Sequence, residues 1–246
     1  MRGGLRSALR GLSTVLIVAG LLLVSDAVVT LVWQEPVSAF LAKQDQNRLA
    51  GDLDDLEQAK PSTLEQRALA TLDDPTQKIA FLARAARRKA HNGDAIGRIR
   101  IPKIGASFVV VAGTDTEDLK KGPGLYPETS FPGVKGTTAI AGHRTTYGAP
   151  FRHIDDLKPD DQIVVDMPYG RFTYEVEKQL IVDPTDTWVI HRVDHDRLVL
   201  SACHPLYSAA QRIIIFARLV KTEARGAALA DQTLVEKPSG LPASDR

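Results

Sequence analysis

The stretch Arg197-Leu198-Val199-Leu200-Ser201-Ala202-Cys203-His204-Pro205 decides how this chain is read, because an apolar run here ends on the only cysteine in the protein. Pro205 has no N–H to give to a ladder, so a strand over this run is expected to stop just before it. A second strand-like run, Arg212-Ile213-Ile214-Ile215-Phe216-Ala217-Arg218-Leu219-Val220, follows a turn-like segment from Leu206 to Gln211. Paired as a hairpin, the two runs set Cys203 at the end of one strand and Arg212 at the start of the next. A thiol and a fixed cation then share one end of a sheet.

Working outward, the residues before this hairpin have strand character from Gly97 onward. Gly97–Pro102 alternates, Ser107–Val111 follows, and Thr114–Lys121 reads as a short helix begun by Asp115 and Thr116. Gly122–Gly136 is rich in Pro and Gly and reads as a long loop. Thr137–Ala141 is a further strand, leading directly into Gly142-His143. Gln162–Met167 and Phe172–Val182 continue the pattern around a Pro168-Tyr169-Gly170 turn, and Thr187–Ile190 is taken as one more short strand. Many short strands with little helix predict a sandwich or a closed barrel.

The N-terminal part differs. Arg2, Arg6 and Arg10 precede an apolar run from Leu12 to Trp33, close to the roughly 20 residues that cross a bilayer as a helix. Asp26 interrupts it, at a cost of about 2.5–3.5 kcal/mol if it lies at the helix centre. Val15–Val24 followed by Ser25-Asp26-Ala27 also fits a cleaved secretory signal. Apolar residues resume at once from Val28, which favours an uncleaved anchor. Both readings export the rest of the chain, and the arginines favour a cytoplasmic N-terminus. Beyond the anchor, Val37, Phe40, Leu41, Leu49, Leu53 and Leu56 have helical spacing. Ser62 with Glu65 forms a capping-box pattern, and Asp73-Asp74-Pro75 opens a further helix. The expected organisation is a basic N-terminus (1–11), a single-pass transmembrane anchor (12–33), a helical spacer (34–94), a catalytic β-domain (95–221) and a disordered tail (222–246).

With 31 basic against 30 acidic residues there is no cationic excess of the kind that marks a nucleic-acid partner. In an exported protein a lone cysteine is an intermolecular link or a free reactive thiol, and the plainer alternative is a small buried hydrophobe. A reactive thiol needs a base or cation nearby. Of the six histidines, His91 lies in the spacer, His191 and His195 in a polar turn, and His153 in a segment with a structural reading. His204 adjoins Cys203 and points to the other face of a continuing strand. His143 remains, at a strand end within Ala141-Gly142-His143-Arg144-Thr145-Thr146-Tyr147-Gly148. A histidine bonded to loop backbone is the competing account of it. Gly142 is read as permitting an unusual backbone, and Arg144 is set aside as a surface charge.

Ala-Gly-His143, the strand ending Leu-Ser-Ala-Cys203, and Arg212 nine residues later together resemble the sortases, the cysteine transpeptidases of Gram-positive cell surfaces. The resemblance covers roughly residues 95–221. Ala141–Phe151 and Cys203-His204-Pro205 look most like class E sortases of actinobacteria. The family usually has threonine before the cysteine, where this chain has Ala202, which bears on substrate preference. The resemblance implies a mostly β fold, a closed eight-stranded barrel with short helices, carrying Cys203, His143 and Arg212 at one rim. It implies that Cys203 attacks a Thr–Gly bond in an LPXTG- or LAXTG-like C-terminal sorting signal, giving a thioacyl-enzyme. His143 then moves the proton and Arg212 stabilises the oxyanion or holds the peptide. Thr145, Tyr147 and Ala202 are the expected groove-lining positions. The implied partners are secreted proteins bearing the signal and a peptidoglycan-precursor amine, with no metal, no other cofactor and no nucleic acid. Two alternatives stand beside this: a pilin-polymerising sortase, and a membrane-anchored binding barrel whose cysteine is inert. Against the first, Asp73-Asp74-Pro75-Thr76 lacks the aromatic of a lid motif.

Overall fold

The computed structural model describes residues 2–32 and 36–229. Trp33 at the end of the expected anchor, and residues 230–246 of the expected tail, lie outside the described residues.

Eight strands close into a barrel: β1 (Ala95–Ile101), β2 (Ala106–Ala112), β3 (Gly124–Leu125), β4 (Thr137–Ala141), β5 (Gln162–Met167), β6 (Gly170–Val182), β7 (Arg197–His204) and β8 (Gln211–Ala224). Their spatial order is β1-β2-β3-β4-β7-β8-β6-β5. β2/β3 and β4/β7 pair parallel and the other neighbours antiparallel. Closure removes the exposed edges that such a sheet would otherwise offer. Alternation along the strands sorts side chains between two layers. Ile99, Ile140, Ile163, Phe172, Leu198, Leu200, Ile213 and Ile215 belong to the main core. Ala139, Val199, Ile214 and Phe216 form a second cluster on the outer face, covered by Val189 and flanked by Leu180 and Val182.

Two elements differ from expectation. The Pro- and Gly-rich segment after Lys121 contains β3, only two residues long and invisible to a periodicity argument. Thr187–Ile190 is a 3-10 turn, not a strand. There the Asp186 and Thr187 amides are taken up by the Asp183 and Thr185 carbonyls, Pro184 has no N–H to offer, and Val189 packs onto the outer cluster.

Helix α1 (Arg2–Val32) contains a 21-residue apolar span, Leu9–Val29, with mean hydropathy 2.3 and no part of it packed against the rest of the protein. By length and composition it is able to cross a membrane. Three helices follow: α2 (Pro36–Gln58), α3 (Thr63–Leu69) and α4 (Pro75–Lys89). The capping box closes as expected, with Ser62 N donating to Glu65 and Glu65 N donating to Ser62 Oγ. Asp74 accepts from the Thr76 amide and Pro75 is the first residue of α4, so that motif serves helix initiation. Glu65 also pairs with Lys89 at 2.7 Å, tying α3 to α4.

The segment expected as a spacer is helical, yet it lies against the barrel. Ile79, Leu82 and Ala83 of α4 enter the main core, and Leu49 and Leu53 of α2 pack with Ala95, Val109 and Val111. The buried stripe on α2 is Ser38, Ala42, Leu49 and Leu53, whereas Phe40, Leu41 and Leu56 are exposed. Gln46 completes that stripe. Its side-chain amide pairs with both Val109 N and Val109 O, and also donates to the Lys121 carbonyl. Because β3 spans only two residues, β2 is left with an unpaired edge at Val109, and Gln46 supplies what a strand would have supplied.

Candidate active site

Cys203 and Arg212 are directly opposed in the antiparallel β7/β8 ladder. Opposed residues on one face have Cβ atoms about 4.5–5.5 Å apart, so the thiol and the guanidinium stem are neighbours. β4 runs parallel to β7 on the other side, with Ala141 level with Ser201 and the Gly142 amide donating to the Ser201 carbonyl at 3.0 Å. Two residues past Ala141 is His143, and two past Ser201 is Cys203. The registers thus set Cys203 opposite Arg212 and bring the end of β4, two residues before His143, beside the end of β7. Val182 of β6, opposite Arg212, closes the row.

Parity sets which face they occupy. Leu198, Leu200 and Ala202 belong to the interior core and Val199 to the outer cluster, so Cys203 falls on the outer face. Ala202 is buried at 4% exposure with its side chain in the barrel core; a groove contact there is left to its backbone. Cys203, His143 and Arg212 are each half-buried, as are Thr145 and Tyr147 in the loop after β4. The outer apolar cluster of Val199, Ile214, Leu180 and Val182 runs up to the row from below.

His143 is held from several directions. Its carbonyl accepts from the Phe151 amide at 3.0 Å, and its ring lies 5.2 Å from the Tyr147 ring, tilted by 39°. Nε2 is buried without a hydrogen-bond partner among the described residues. Desolvation pushes the imidazole pKa below its ordinary 6.5, so at neutral pH the ring is mostly neutral. An unpaired buried nitrogen is costly in a resting core and useful where a ligand is to supply its partner. Arg212 uses Nη1 on the Ala209 and Gln211 carbonyls, 3.0 and 2.9 Å away. That leaves its remaining donors for another acceptor.

Gly142 does not adopt a left-handed backbone, contrary to expectation; among the described glycines of this loop it is Gly148 that does. The need at Gly142 is space, since a Cβ there would lie 2.5 Å from a ring carbon of Phe151, itself fully buried. Tyr147, Gly148 and Ala149 have φ of 50°, 75° and 41°. Such backbone costs about 1–3 kcal/mol at each non-glycine position and is kept where surrounding structure enforces it. One enforcing contact comes from α2, whose Ser38 Oγ accepts from the Tyr147 amide at 3.3 Å.

His204 turns away from the row, its Nδ1 3.4 Å from Arg144 Nη1. Arg144 is not the surface charge expected: it is 4% exposed and paired with Asp155 at 2.7 Å. His191 has a carbonyl bonded to Thr137 and Arg197, and His91, His153 and His195 sit beside surface carboxylates. Among the described residues no three His, Cys, Asp or Glu side chains converge as metal ligands. A cleft of about 740 Å³ opens between α2, α4 and β1, lined by Leu49, Leu56, Leu82, Ala86 and Ile96, and does not reach Cys203.

The sortase-domain family model matches residues 99–220. Sortase D of Bacillus subtilis is 39% identical over 137 residues, which is 54% of this chain and 67% of that protein. The structure of sortase E from Streptomyces avermitilis is 34% identical, with a TM-score of 0.50 over 57% of this chain and 99% of that one. Sortase E1 from Streptomyces coelicolor, solved with a tripeptide in its active site, is 25% identical with a TM-score of 0.52, covering 59% and 99%. Relatives of classes D and E thus stand side by side. A closed mixed barrel of this topology, joined to these likenesses, makes the chain a member of the sortase family, a cysteine transpeptidase.

Proposed function

We propose that this protein is a membrane-anchored sortase in which Cys203 is the nucleophile, His143 the proton carrier and Arg212 the stabiliser of developing negative charge. The single observation that carries the reading is the Cys203–Arg212 register, with the parallel β4/β7 pairing beside it ending two residues before His143. Cys203 gives its thiol proton to His143, and the thiolate so formed attacks the carbonyl of a Thr–Gly bond in a C-terminal sorting signal. A tetrahedral oxyanion forms, facing Arg212. As the C–N bond breaks, His143 gives its proton to the departing glycine amine, leaving a thioester on Cys203. A second amine, from a cell-wall precursor, attacks the thioester and passes its proton to His143; the thiolate departs and regains that proton from His143, restoring the thiol. Atoms balance with no further reagent, and the product is an amide joined to the new amine.

The unpaired Nε2 of His143 supports its assignment, because the departing or incoming amine is the partner it lacks. The apolar outer cluster fits the nonpolar side chains of an LPXTG- or LAXTG-like signal, with Thr145 and Tyr147 bordering it. Class E character is favoured by the loop Gly142–Phe151. The apolar span Leu9–Val29 fits a single-pass anchor with the arginines of residues 2–10 inside the cell and the barrel outside.

The test is turnover of sorting-signal peptides, with and without an added amine, by the full chain and its variants. Cys203→Ala is expected to abolish cleavage and transfer while keeping the fold. Cleavage that survives in Cys203→Ala contradicts the reading.

A further inference from the structure

The buried guanidinium of Arg144 follows His143 in sequence and meets His204, the residue after Cys203. Its Nε and Nη2 donate to the Arg152 carbonyl at 3.3 and 3.1 Å, Nη2 also meets Asp155 Oδ1 at 2.7 Å, and Nη1 faces His204 Nδ1 at 3.4 Å. One planar group therefore joins the residue after His143, the segment 152–155, and the residue after Cys203. A guanidinium only donates, so the contact with His204 takes the tautomer whose lone pair is on Nδ1. A buried arginine is costly unless paired and hydrogen-bonded on several sides, and here it is.

We infer that Arg144 is a positioning residue for transpeptidation, clamping the His143 loop to the end of β7 so that imidazole and thiol keep their mutual placement. The inference rests on the assignment of Cys203 and His143 given above. Two other ties act on the same loop, the His143 carbonyl to the Phe151 amide and the Tyr147 amide to Ser38. Neither reaches β7. The Gly142 amide ties the root of the loop to Ser201 of β7, whereas Arg144 ties it on the far side of His143, to the residue after Cys203; Asp155 balances its charge from a half-exposed position, at 45% of its side chain. Loosening the clamp lets the ring drift and lets water reach Nε2, without removing any group that touches substrate.

Two variants test this, each measured for melting temperature, kcat, KM and the pH profile of peptide cleavage. Arg144→Lys keeps the charge and loses the fork. Misplacement of a reacting group by about 1 Å can cost on the order of 10²-fold, so kcat is expected to fall roughly 10- to 100-fold with KM little changed. The acid limb of the profile should move up towards 6.5, as His143 regains water; the ring packed against it is that of Tyr147, and the titratable or charged groups at the neighbouring strand ends are Cys203 and Arg212. Asp155→Asn leaves an acceptor but no charge, in a position too exposed to threaten folding, and should lower kcat several-fold with the same direction of pH shift. Wild-type kcat and pH profile in folded Asp155→Asn, or in folded Arg144→Lys, overturns the inference. Cys203→Ala run alongside separates the two levels: turnover there removes the catalytic assignment itself, whereas an inactive Cys203→Ala beside normal Asp155→Asn removes only the clamp.

Discussion

Replacing Gln46 by alanine tests whether α2 is part of the enzyme's body or a free stalk. Its side-chain amide satisfies the Val109 amide at 2.7 Å, the Val109 carbonyl at 3.0 Å and the Lys121 carbonyl at 2.8 Å. Val109 is fully buried. Each backbone group left unsatisfied costs about 1–3 kcal/mol when water cannot reach it. Gln46 itself is only partly buried, so water will enter the vacated space and the sum is nearer about 3 kcal/mol than the upper limit. For a domain of this size a loss of about 3 kcal/mol lowers Tm by roughly 6–12 °C. Gln46→Glu should do worse, because it keeps the acceptor for the Val109 amide and turns a carboxylate on two carbonyls. Thermal unfolding of the detergent-solubilised full chain, followed by near-UV circular dichroism, reads the shift. A Tm within about 2 °C of wild type for both variants would mean that the helix is not docked in solution, and the account of β2's edge would fail.

Four further outcomes follow from the site. The pH profile of kcat/KM is expected to be bell-shaped with its acid limb below 6.5, since burial lowers the His143 pKa. The same shift has a stability consequence: the neutral ring's contribution is complete above 6.5 and is lost as pH falls from there through the lowered folded-state value. His143→Phe should therefore reduce the drop in Tm over that window, and an identical drop in both proteins refutes the link. Arg212→Ala should cost about 10²–10³-fold in kcat, the usual weight of one oxyanion donor, with Tm nearly unchanged because its own bonds go to adjacent loop carbonyls; near-normal kcat removes it from the mechanism. Gly142→Ala forces a methyl against Phe151, so Tm should fall by the equivalent of about 1–3 kcal/mol together with activity, and an unperturbed protein would show that the ring has room to move.

How much of this was legible in the sequence depended on whether the signal was local. The β7/β8 hairpin followed from two apolar runs around a turn, and the helix starts at Ser62, Asp74 and Asp115 followed from cap chemistry confined to four residues. The docking of α2 was not legible. Its inward stripe includes Ser38, Ala42 and Gln46, small or polar residues, while Phe40 and Leu41 beside them are exposed. Hydrophobic periodicity finds Leu49 and Leu53 but mistakes the inward side over the first half of the helix. β3 is too short to have a period, and it forms because strands on both sides supply its partners. Thr187–Ile190 has strand composition but spends its residues covering the outer cluster.

At the site, Cys203, His143 and Arg212 were singled out by thiol chemistry, elimination and family likeness; the structure pairs Cys203 with Arg212 across β7/β8 and has β4, which leads to His143, alongside β7. What one sequence does not display is long-range pairing of a charge. Arg144 reads as a surface arginine because its partners Arg152, Asp155 and His204 come together only in the fold. Gly142 carried the right flag for the wrong reason: the constraint is the Phe151 ring, nine positions on, not the dihedral angle.

The most direct test of the account is the mass of the enzyme caught with a sorting-signal peptide in the absence of an acceptor amine. A single adduct is expected, equal in mass to the peptide up to its threonine acyl group, located on Cys203 by peptide mapping and released by hydroxylamine as a thioester is. Turnover of the peptide by Cys203→Ala, or an adduct mapping to any other residue, would contradict it.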